Sequence, residues 1–322
     1  MKTSTLPVSE PANVHAATAQ PLLAVGSVAF DTIRTPHGVA ERVLGGAATY
    51  FALAARFFTP VRIVAVVGED FLPSHENLLA SRGIDLAGLQ RRPGKSFFWA
   101  GEYESNPDRR HTHATELNVF ADFQPQIPRA YRDSRYLFLG NIDPALQCAV
   151  RRELPDAACI GGDTMNYWIA SQPERVREFL RGLHLLMIND SEAVELTGEW
   201  NLPSAARAIQ ALGPAHVIIK RGAHGATLYS PGGCCAVPSF PLEQVLDPTG
   251  AGDSFAGGVM GFLAGHNRRD EAGLRQALAY GSVMGSFTCE RFGVERLLEL
   301  TREQIEARYR QFLAITQFHP VP

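Results

Sequence analysis

The chain has 322 residues, 45% of them hydrophobic, which is enough to bury a substantial core as one large domain or two modest ones. A formal net charge of -3 without a long basic run excludes the electrostatic footprint of a nucleic-acid-binding protein, so we expect a small-molecule partner. Its 5 cysteines form no C-x-x-C pair and no apolar run approaches the roughly 20 residues of a membrane span, so we expect a cytoplasmic protein without membrane contact, disulfide framework or zinc ribbon.

The N-terminal stretch differs in character from the rest of the chain. Residues 1–20 (MKTSTLPVSEPANVHAATAQ) lack the apolar segment of a signal peptide. We interpret them as a disordered tail and assign residues 21–322 to the folded domain.

From Pro21 onward, short apolar runs alternate with helical patterns. The runs at 22–27 and 61–68 are each followed by a pattern typical of a helix. Further apolar runs, each ending in polar or glycine residues, occur at 136–141, 157–163, 184–190 and 216–222. This alternation predicts an α/β fold with parallel strands joined by helices and ligands at the carboxyl ends of the strands.

Two stretches interrupt that alternation. Residues 28–44 and 96–115 contain short strand-like pieces and turn signals but no helix of ordinary length, which predicts a small β-sheet lid. Its aromatic residues could stack on a nucleobase, although such residues more often form the core of their own small sheet. His111 and His113 would share one face of a strand and could suit a transition metal, but with no third ligand evident a solvated strand is the more ordinary interpretation.

Residues 88–96 resemble a phosphate-binding P-loop in composition but differ from it in glycine spacing and in the element that follows. Five residues, and not four, separate Gly88 from Gly94, and the strand-like FFWAGEY follows where a helix should begin. We therefore reject a P-loop there. The vicinal Cys234 and Cys235 are interpreted as a turn-to-strand feature without a redox role.

The segment DPTGAGDSF, which starts at Asp247, is the strongest candidate for phosphate chemistry. Strand-like residues 242–246 precede it, and apolar residues at i, i+4, i+7 and i+8 from Phe255 predict an amphipathic helix after it. Gly250, Ala251 and Gly252 would then lie at a helix N-terminus, where free N–H groups and the helix dipole hold anions. Asp253, in the first turn, could be a helix-capping carboxylate or a base beside a transferring phosphoryl group, and the two roles are compatible.

Four motifs in the same chain order resemble those of the ribokinase-like (PfkB) family of sugar and nucleoside kinases. They are the segments Asp247–Asp253 (pattern D-x-x-G-A-G-D), Gly26–Asp31, Leu44–Ala47 and Asn189–Glu192. The resemblance spans roughly residues 22–318. It implies a three-layer α/β/α sandwich with a mostly parallel central sheet and a small β-sheet lid.

The resemblance also implies an activity. The chain would be an ATP-dependent kinase that transfers the γ-phosphoryl group to a hydroxyl of a small sugar or sugar-containing substrate, with Asp253 as base and Gly250, Ala251 and Gly252 around the phosphate. A nucleoside kinase of the same family, or an inactive ligand-binding relative, is the alternative. A nicotinamide-dependent oxidoreductase is disfavoured because no G-x-G-x-x-G follows the first strand.

The remaining site residues follow from the same resemblance or from their places at strand ends. Substrate contacts are expected from Asp31, Gly45, Gly46, Asn141, Asp163 and Asn166. Nucleotide contacts are expected from Asn189, Lys220, Gly222, Thr249 and Gly293. Glu192 would hold Mg²⁺ through water, and Asp247 with Thr249 could bind a monovalent cation such as K⁺.

Each of these assignments has a structural alternative. Asp31 could be a turn residue, Gly45 and Gly46 could simply allow close packing, and Asn189 with Glu192 also spells a capping box. A homodimer through the lid is a further expectation of the resemblance.

Overall fold

A computed structural model describes residues 19–107 and 109–317; the predicted tail lies outside the described residues as far as residue 18. The strands described are β1 (Leu22–Val25), β2 (Ala29–Thr35), β3 (Gly38–Gly45), β4 (Val61–Val67), β5 (Ile84–Arg91), β6 (Phe97–Tyr103), β7 (Arg110–Glu116), β8 (Tyr136–Leu139), β9 (Cys159–Gly162), β10 (Leu185–Asn189), β11 (His216–Lys220), β12 (Ala226–Ser230) and β13 (Gly233–Val237). The helices are α1 (Ala47–Ala55), α2 (Pro73–Ala80), α3 (Pro144–Glu153), α4 (Asn166–Ser171), α5 (Pro173–Leu180), α6 (Asp190–Thr197), α7 (Leu202–Leu212), α8 (Ala251–His266), α9 (Glu271–Thr288), α10 (Glu295–Glu299) and α11 (Arg302–Thr316).

The larger sheet has nine strands in the order β13-β12-β11-β10-β9-β8-β1-β4-β5. Neighbours pair in parallel from β11 to β5, and β12 and β13 add an antiparallel edge. In chain order, β4 and β5 are added on one side of β1, and β8 to β13 are then added on its other side. The carboxyl ends of β1 and β8 therefore flank a topological switch point, where α/β proteins bind ligands.

Alternating residues of the buried strands pack into two separate hydrophobic cores, one on each face of the larger sheet. Leu22 and Ala24 of β1 pack into the core that includes α1, α8, α9 and α11. Leu23 and Val25 pack into the core on the other face, which includes α3, α5, α6 and α7. Because both faces of the sheet are covered, its strands are apolar at nearly every position. This is the three-layer arrangement that the family resemblance implied, and its parallel strands joined by helices are those that the alternation predicted.

The smaller sheet has four strands in the order β3-β2-β6-β7. Its outer pairs are antiparallel and the central pair, β2 with β6, is parallel. One face of β7 carries His113, which pairs with Glu102 of β6, and His111, which pairs with Glu104 just after β6. The smaller sheet is joined to the larger domain through the chain, since β2 and β3 lie between β1 and α1.

Helix α8 is buried on all sides, and the prediction of an amphipathic helix is wrong. Residues 254–265 are all buried. Gly257, Gly261 and Gly265 lie on one side of the helix, and a Cβ on any of them would come within 3.0 Å of residues 51–58 of the α1 segment. The glycines let α8 pack directly on α1, so the helix has no solvated face. This close packing fixes the position of its N-terminus.

The strand-like stretch before this helix is also not a strand. Residues 242–246 form no strand in the structure, although Leu246 N–H donates to Cys289 O at 2.8 Å. Their side chains are partly or fully exposed, and the segment joins neither sheet. No helix in the described part of the chain is long and apolar enough to cross a membrane.

Candidate active site

Asp31 and the two glycines that end β3 form the first part of the site. Asp31 is 4% exposed, and a Cβ on Gly45 would lie 1.9 Å from its carboxylate Oδ2 atom. Gly46 has a φ of 92°, and a Cβ there would lie 2.6 Å from Ser27 O. Burial raises the pKa of Asp31 to about 7, although a hydrogen bond from the Gly46 N–H lowers it in part. The glycines thus create the space that this carboxylate occupies.

The N-terminus of α8 forms the second part. Gly250 has a φ of 74°, and a Cβ on it would lie 2.3 Å from the ring of Tyr50. Its conformation and its neighbour both require glycine. Ala251 N–H donates to Pro248 O, but in the described residues the N–H groups of Gly252 and Asp253 have no protein acceptor. They can therefore bind an anion.

Asp253 lies on this N-terminus next to a cation. A Cβ on Gly252 would lie 3.3 Å from the Lys220 Nζ atom, so the ammonium group at the end of β11 reaches the helix start. Burial raises the pKa of Asp253 to about 6, while the charges of Lys220 and Arg110 lower it. The carboxylate is thus a proton acceptor whose pKa is close to neutral pH.

Asp163 adds a buried carboxylate to the same cluster. It is 7% exposed, and its Oδ1 atom has no hydrogen-bond partner. Burial raises the pKa of Asp163 well above its ordinary value; the charge of Asp253 raises it further, and Lys220 opposes the shift. Lys220 therefore lies within electrostatic reach of both carboxylates. An orphaned buried oxygen at this place is a potential partner for a ligand or a hydrated metal ion.

Asn189 and Glu192 form a capping box at the start of α6. Asn189 Oδ1 accepts from Glu192 N at 2.7 Å, and Glu192 Oε2 accepts from Asn189 N at 3.0 Å. The capping box, which is the structural alternative to a metal-binding role, is therefore present. Burial raises the pKa of Glu192, and the charge of Lys220 lowers it. Glu192 is thus close enough to Lys220 to contribute to the site as well as to the helix cap.

Asp247 organises the loop before α8. This carboxylate is fully buried; its Oδ1 accepts from Thr249 N and its Oδ2 from Gly293 N, both at 2.8 Å. Thr249 Oγ1 lies 3.3 Å from the hydroxyl of Tyr103 on β6. Asp247 therefore ties the helix start to Gly293, and Thr249 ties it to the small sheet.

The other predicted residues differ in how closely they approach the cluster. Gly222, with a φ of 50°, turns the chain just after Lys220. Asn141 is held by Trp168 and Met165, with the indole N–H donating to its Oδ1 at 2.9 Å. Asn166 is exposed at the start of α4. Within residues 19–107 and 109–317, no hydrogen bond joins Asn141 or Asn166 to the carboxylates.

No catalytic or phosphate-site role was predicted for several residues of the site, although Tyr103 is among the lid aromatics that could stack on a nucleobase. Tyr103 and Arg110 reach it only because β6 and β7 pair in the small sheet. Tyr50 lies under Gly250 because α1 packs on α8. Gln147, which is fully buried, donates to the carbonyls of Leu139, Gly140 and Asp163 and so joins two strand ends. A polar residue in an otherwise apolar helical pattern was the only available hint of Gln147.

His111, His113, Cys234 and Cys235 lie outside this site. His111 pairs with Glu104 at 2.7 Å and His113 with Glu102 at 3.0 Å on the outer face of the small sheet. Among the residues that the structure describes, no three His, Cys, Asp or Glu side chains form a metal-binding group. All 5 cysteines are free, and Cys234 and Cys235 lie on the edge strand β13.

Comparison with known proteins places this arrangement in a family. The family model described as pfkB family carbohydrate kinase matches residues 20–300. The cytidine kinase of Thermococcus kodakarensis is 28% identical over 288 residues, covering 88% of this chain and 96% of that protein. The chain belongs to the pfkB family of carbohydrate kinases.

Solved structures agree on the fold. The Burkholderia thailandensis nucleoside kinase in complex with ADP-inosine has a TM-score of 0.76 and 20% identity, with 91% of this chain and 96% of that chain covered. The putative ribokinase II of E. coli in complex with ATP and Mg²⁺ has a TM-score of 0.74 and 20% identity, with 91% and 99% covered. The predicted fold and the predicted class of enzyme, a kinase that phosphorylates a hydroxyl group, are confirmed.

Proposed function

We propose that the chain phosphorylates a hydroxyl of a sugar-containing small molecule with ATP, using Asp253 as base. The substrate oxygen forms a bond to the γ-phosphorus, the bond from that phosphorus to the β–γ bridging oxygen breaks, and ADP leaves with the bonding electrons. The hydroxyl proton passes to the carboxylate of Asp253. The N–H groups of Gly252 and Asp253 stabilise the charge that develops on the phosphoryl oxygens.

One observation carries this proposal: a carboxylate lies in the same helix turn as free N–H groups that attract anions. A carboxylate next to a phosphate is repulsive unless a proton-bearing group lies between them. The pKa of Asp253, raised to about 6, allows the group to be ionised at neutral pH and still accept a proton. On the other side of the cleft, Asp31 would accept hydrogen bonds from neighbouring hydroxyls of the same substrate.

The site fits Mg²⁺ held through water. The carboxylate of Glu192 and the unpartnered Oδ1 of Asp163 supply hard oxygen ligands near Lys220. Mg²⁺ keeps most of its waters in proteins and binds through one or two carboxylates together with phosphates, which suits these two side chains. Bound there, Mg²⁺ would neutralise charge on the nucleotide phosphates. Asn189, Lys220, Gly222, Thr249 and Gly293 are the proposed nucleotide contacts.

Trp99 favours a nucleoside among sugar-containing substrates. Its Cα pairs with that of Asp31 in the parallel ladder, so the two side chains leave the sheet on the same face. Gly101 follows on that face, and a Cβ there would lie 2.2 Å from the indole, so the ring lies across the glycine. An aromatic surface beside the hydroxyl-binding carboxylate suits a stacked nucleobase. The cytidine kinase relative supports the same choice.

The remaining expectations stay proposals. The small sheet would act as a lid, with Gly45 and Gly46 as its hinge, and its edge strands β3 and β7 would be available for a homodimer. Asn141 and Asn166 would need to approach the substrate when it binds. A monovalent cation at Asp247 and Thr249 stays a prediction, since both carboxylate oxygens already accept backbone N–H groups. We place the protein in the cytoplasm because its cysteines are free.

An ATP-consumption screen over free sugars, phosphosugars and nucleosides tests the proposal. We expect turnover with a nucleoside, and a drop of about 10²-fold or more in Asp253→Asn with folding retained. Near-normal turnover in that variant would remove Asp253 as the base. Turnover of free ribose without any nucleoside turnover would overturn the nucleoside assignment alone.

A matched pair of tryptophan variants tests the stacking surface. Trp99→Ala should raise the KM for the nucleoside about tenfold or more, the size of one lost base–aromatic stack. Trp200→Ala, at a site 86% exposed in the loop after α6, is the control and should leave KM unchanged. Equal KM values in the two variants would contradict the assignment.

A further inference from the structure

A bulge in the small sheet lies directly beside Asp31. In the β2–β3 ladder, the pairing of Asp31 with Val43 is followed by a shift in register, so two residues of β3 lie opposite Thr32. Arg42, one of those two residues, has a φ of 53°. Among the residues that the structure describes, it alone combines a positive φ with a side chain other than asparagine. Bulges in edge strands often redirect a side chain next to a functional site, which makes this one a candidate for that purpose.

The bulge decides which residue of β3 lies against the carboxylate of Asp31. With the shift, Gly45 pairs with Ala29 and leaves the space in which that carboxylate lies. If the register at the hairpin turn continued without a shift, Leu44 would pair with Ala29 instead. The leucine side chain would then compete with the carboxylate for the same space. The position of Asp31 therefore depends on the bulge.

Arg42 holds the bulge from the face of the sheet opposite to Asp31. Its backbone N–H donates to Thr32 Oγ1 at 3.0 Å, and its guanidinium carbon lies 4.7 Å from the centre of the Phe30 ring. Phe30 and Thr32 flank Asp31 in β2, so their side chains leave the strand on the other face. The guanidinium also donates to Asp70 Oδ2 at 2.5 Å. Arg42 is thus placed to act on Asp31 through the backbone of the small sheet.

Asp70 anchors this arrangement to the larger domain. It lies between β4 and α2, outside the small sheet. Its Oδ1 accepts from the N–H and the hydroxyl of Ser96, at 2.8 and 2.7 Å, immediately before β6. Burial raises the pKa of Asp70, but hydrogen bonds from Ser96 and Arg42 outweigh it and lower the pKa below its ordinary value, so the carboxylate is ionised at neutral pH. One carboxylate therefore holds both strands that flank β2, β3 through Arg42 and β6 through Ser96.

We propose that Arg42 and Asp70 are positioning residues that hold the β3 bulge and thereby keep Asp31 in place for the substrate. Glycine adopts a positive φ readily, whereas an arginine in this conformation is tolerated because its ion pair and its packing on Phe30 compensate. This inference rests on the proposed function of Asp31 as the acceptor of substrate hydrogen bonds. Because the ion pair lies at the small sheet and not at α8, we expect it to affect the hydroxyl-bearing substrate and not the nucleotide.

The pKa of Asp31 in the free protein tests this without any substrate. Burial raises that pKa to about 7, an effect that a hydrogen bond from the Gly46 N–H opposes and the charges of Asp247 and Asp253 reinforce. Carbon-13 NMR of aspartate-labelled protein measures it, with Asp31→Asn identifying the signal. In Arg42→Ala we expect the pKa to fall by about 1 or more, because the displaced carboxylate becomes hydrated. Loss of a neighbouring cation alone would instead raise the pKa, so the sign of the change separates positioning from a direct effect of charge.

Three further variants are matched to Arg42→Ala. Arg42→Gly removes the same guanidinium but adopts a positive φ readily, so the pKa of Asp31 should stay within about 0.5 of the wild-type value. Arg34→Ala removes an exposed cation from β2 and should leave the pKa unchanged. Asp70→Asn should lower the pKa in the wild-type background but not in Arg42→Gly, where the ion pair is already absent. An unchanged or raised pKa in Arg42→Ala would overturn the inference, and so would an equal fall in Arg42→Gly.

Kinetics with cytidine and MgATP connect the ion pair to the reaction. In Arg42→Ala we expect the KM for cytidine to rise about tenfold or more and the KM for MgATP to change less than about twofold. An equal rise in both KM values would contradict an effect confined to Asp31. If the wild-type protein turns over neither cytidine nor another nucleoside, the proposed substrate class fails, whereas the NMR titration of the free protein still decides the role of Arg42.

Discussion

The carboxylate of Asp31 occupies the space that a side chain at position 45 would fill. A Cβ on Gly45 would lie 1.9 Å from Oδ2 and 2.5 Å from Cγ of Asp31. The glycine before α1 therefore has a specific purpose in addition to any bending of the lid. It lets a buried acceptor stand on β2, the strand that follows β1 in the chain.

Gly45→Ala should displace that carboxylate. We expect kcat/KM for the hydroxyl-bearing substrate to fall at least about tenfold, because a shift of about 1 Å in a binding group is enough to misplace a substrate. Steady-state kinetics measure the effect. Gly232→Ala is the control, since its Cβ would meet nothing closer than Glu271 at 3.9 Å. Wild-type kinetics in Gly45→Ala would show that Asp31 does not position the substrate.

Asp31→Asn should make the protein more stable at alkaline pH while it impairs binding. Burial raises the folded-state pKa of Asp31 from 3.8 to about 7, so the folded protein holds this proton more tightly than the unfolded chain. Stability from this group is then present below pH 4 and is lost as pH rises to about 7. At pH 8 the variant should be more stable by at least about 1 kcal/mol, and near pH 4 the advantage should vanish.

Thermal unfolding across this pH range provides the measurement. Asp156→Asn, which changes an exposed carboxylate, is the control and should show no such pH-dependent gain. A constant difference between Asp31→Asn and wild type from pH 4 to 8 would contradict the buried-carboxylate interpretation.

The pH dependence of turnover should reflect Asp253 and Asp31 together. Burial raises their pKa values to about 6 and about 7, and both must be ionised, one to accept a proton and the other to accept hydrogen bonds. We expect log kcat/KM to rise with a slope greater than one below pH 6 and to level off above pH 7, with apparent values that belong to the pair. Activity that stays constant down to pH 5 would be inconsistent with either role.

The sequence could predict those parts of the site whose chemistry is local. Gly250 to Asp253 form a helix N-terminus because of neighbours in the chain, and Asn189 to Glu192 form a capping box for the same reason. Alternating apolar runs likewise predicted parallel strands joined by helices. Each of these features depends on a spacing or a periodicity of residues that lies within about 20 positions of the chain.

Contacts made by distant strands could not be predicted in this way. Tyr103 and Arg110 come near the site because β6 pairs with β7 and β2. The stretch at 242–246 was wrongly predicted as a strand because its apolar residues lie in a partly exposed loop that joins neither sheet. The glycines of α8 acquire meaning only when α1 is placed against them.

Glu192→Gln separates the two roles of the capping box. A glutamine at this position can still accept the hydrogen bond from Asn189 N that Glu192 Oε2 accepts at 3.0 Å, so the start of α6 should be retained. The variant loses the negative charge that would order the waters of Mg²⁺. We expect unchanged or slightly higher thermal stability and an increase of about tenfold or more in the Mg²⁺ concentration needed for half-maximal turnover. Asn189→Ala should instead lower stability by about 1 kcal/mol through loss of the cap. A wild-type Mg²⁺ requirement in Glu192→Gln would leave Glu192 with a capping role alone, and the metal would then have to be held by Asp163 and the nucleotide phosphates.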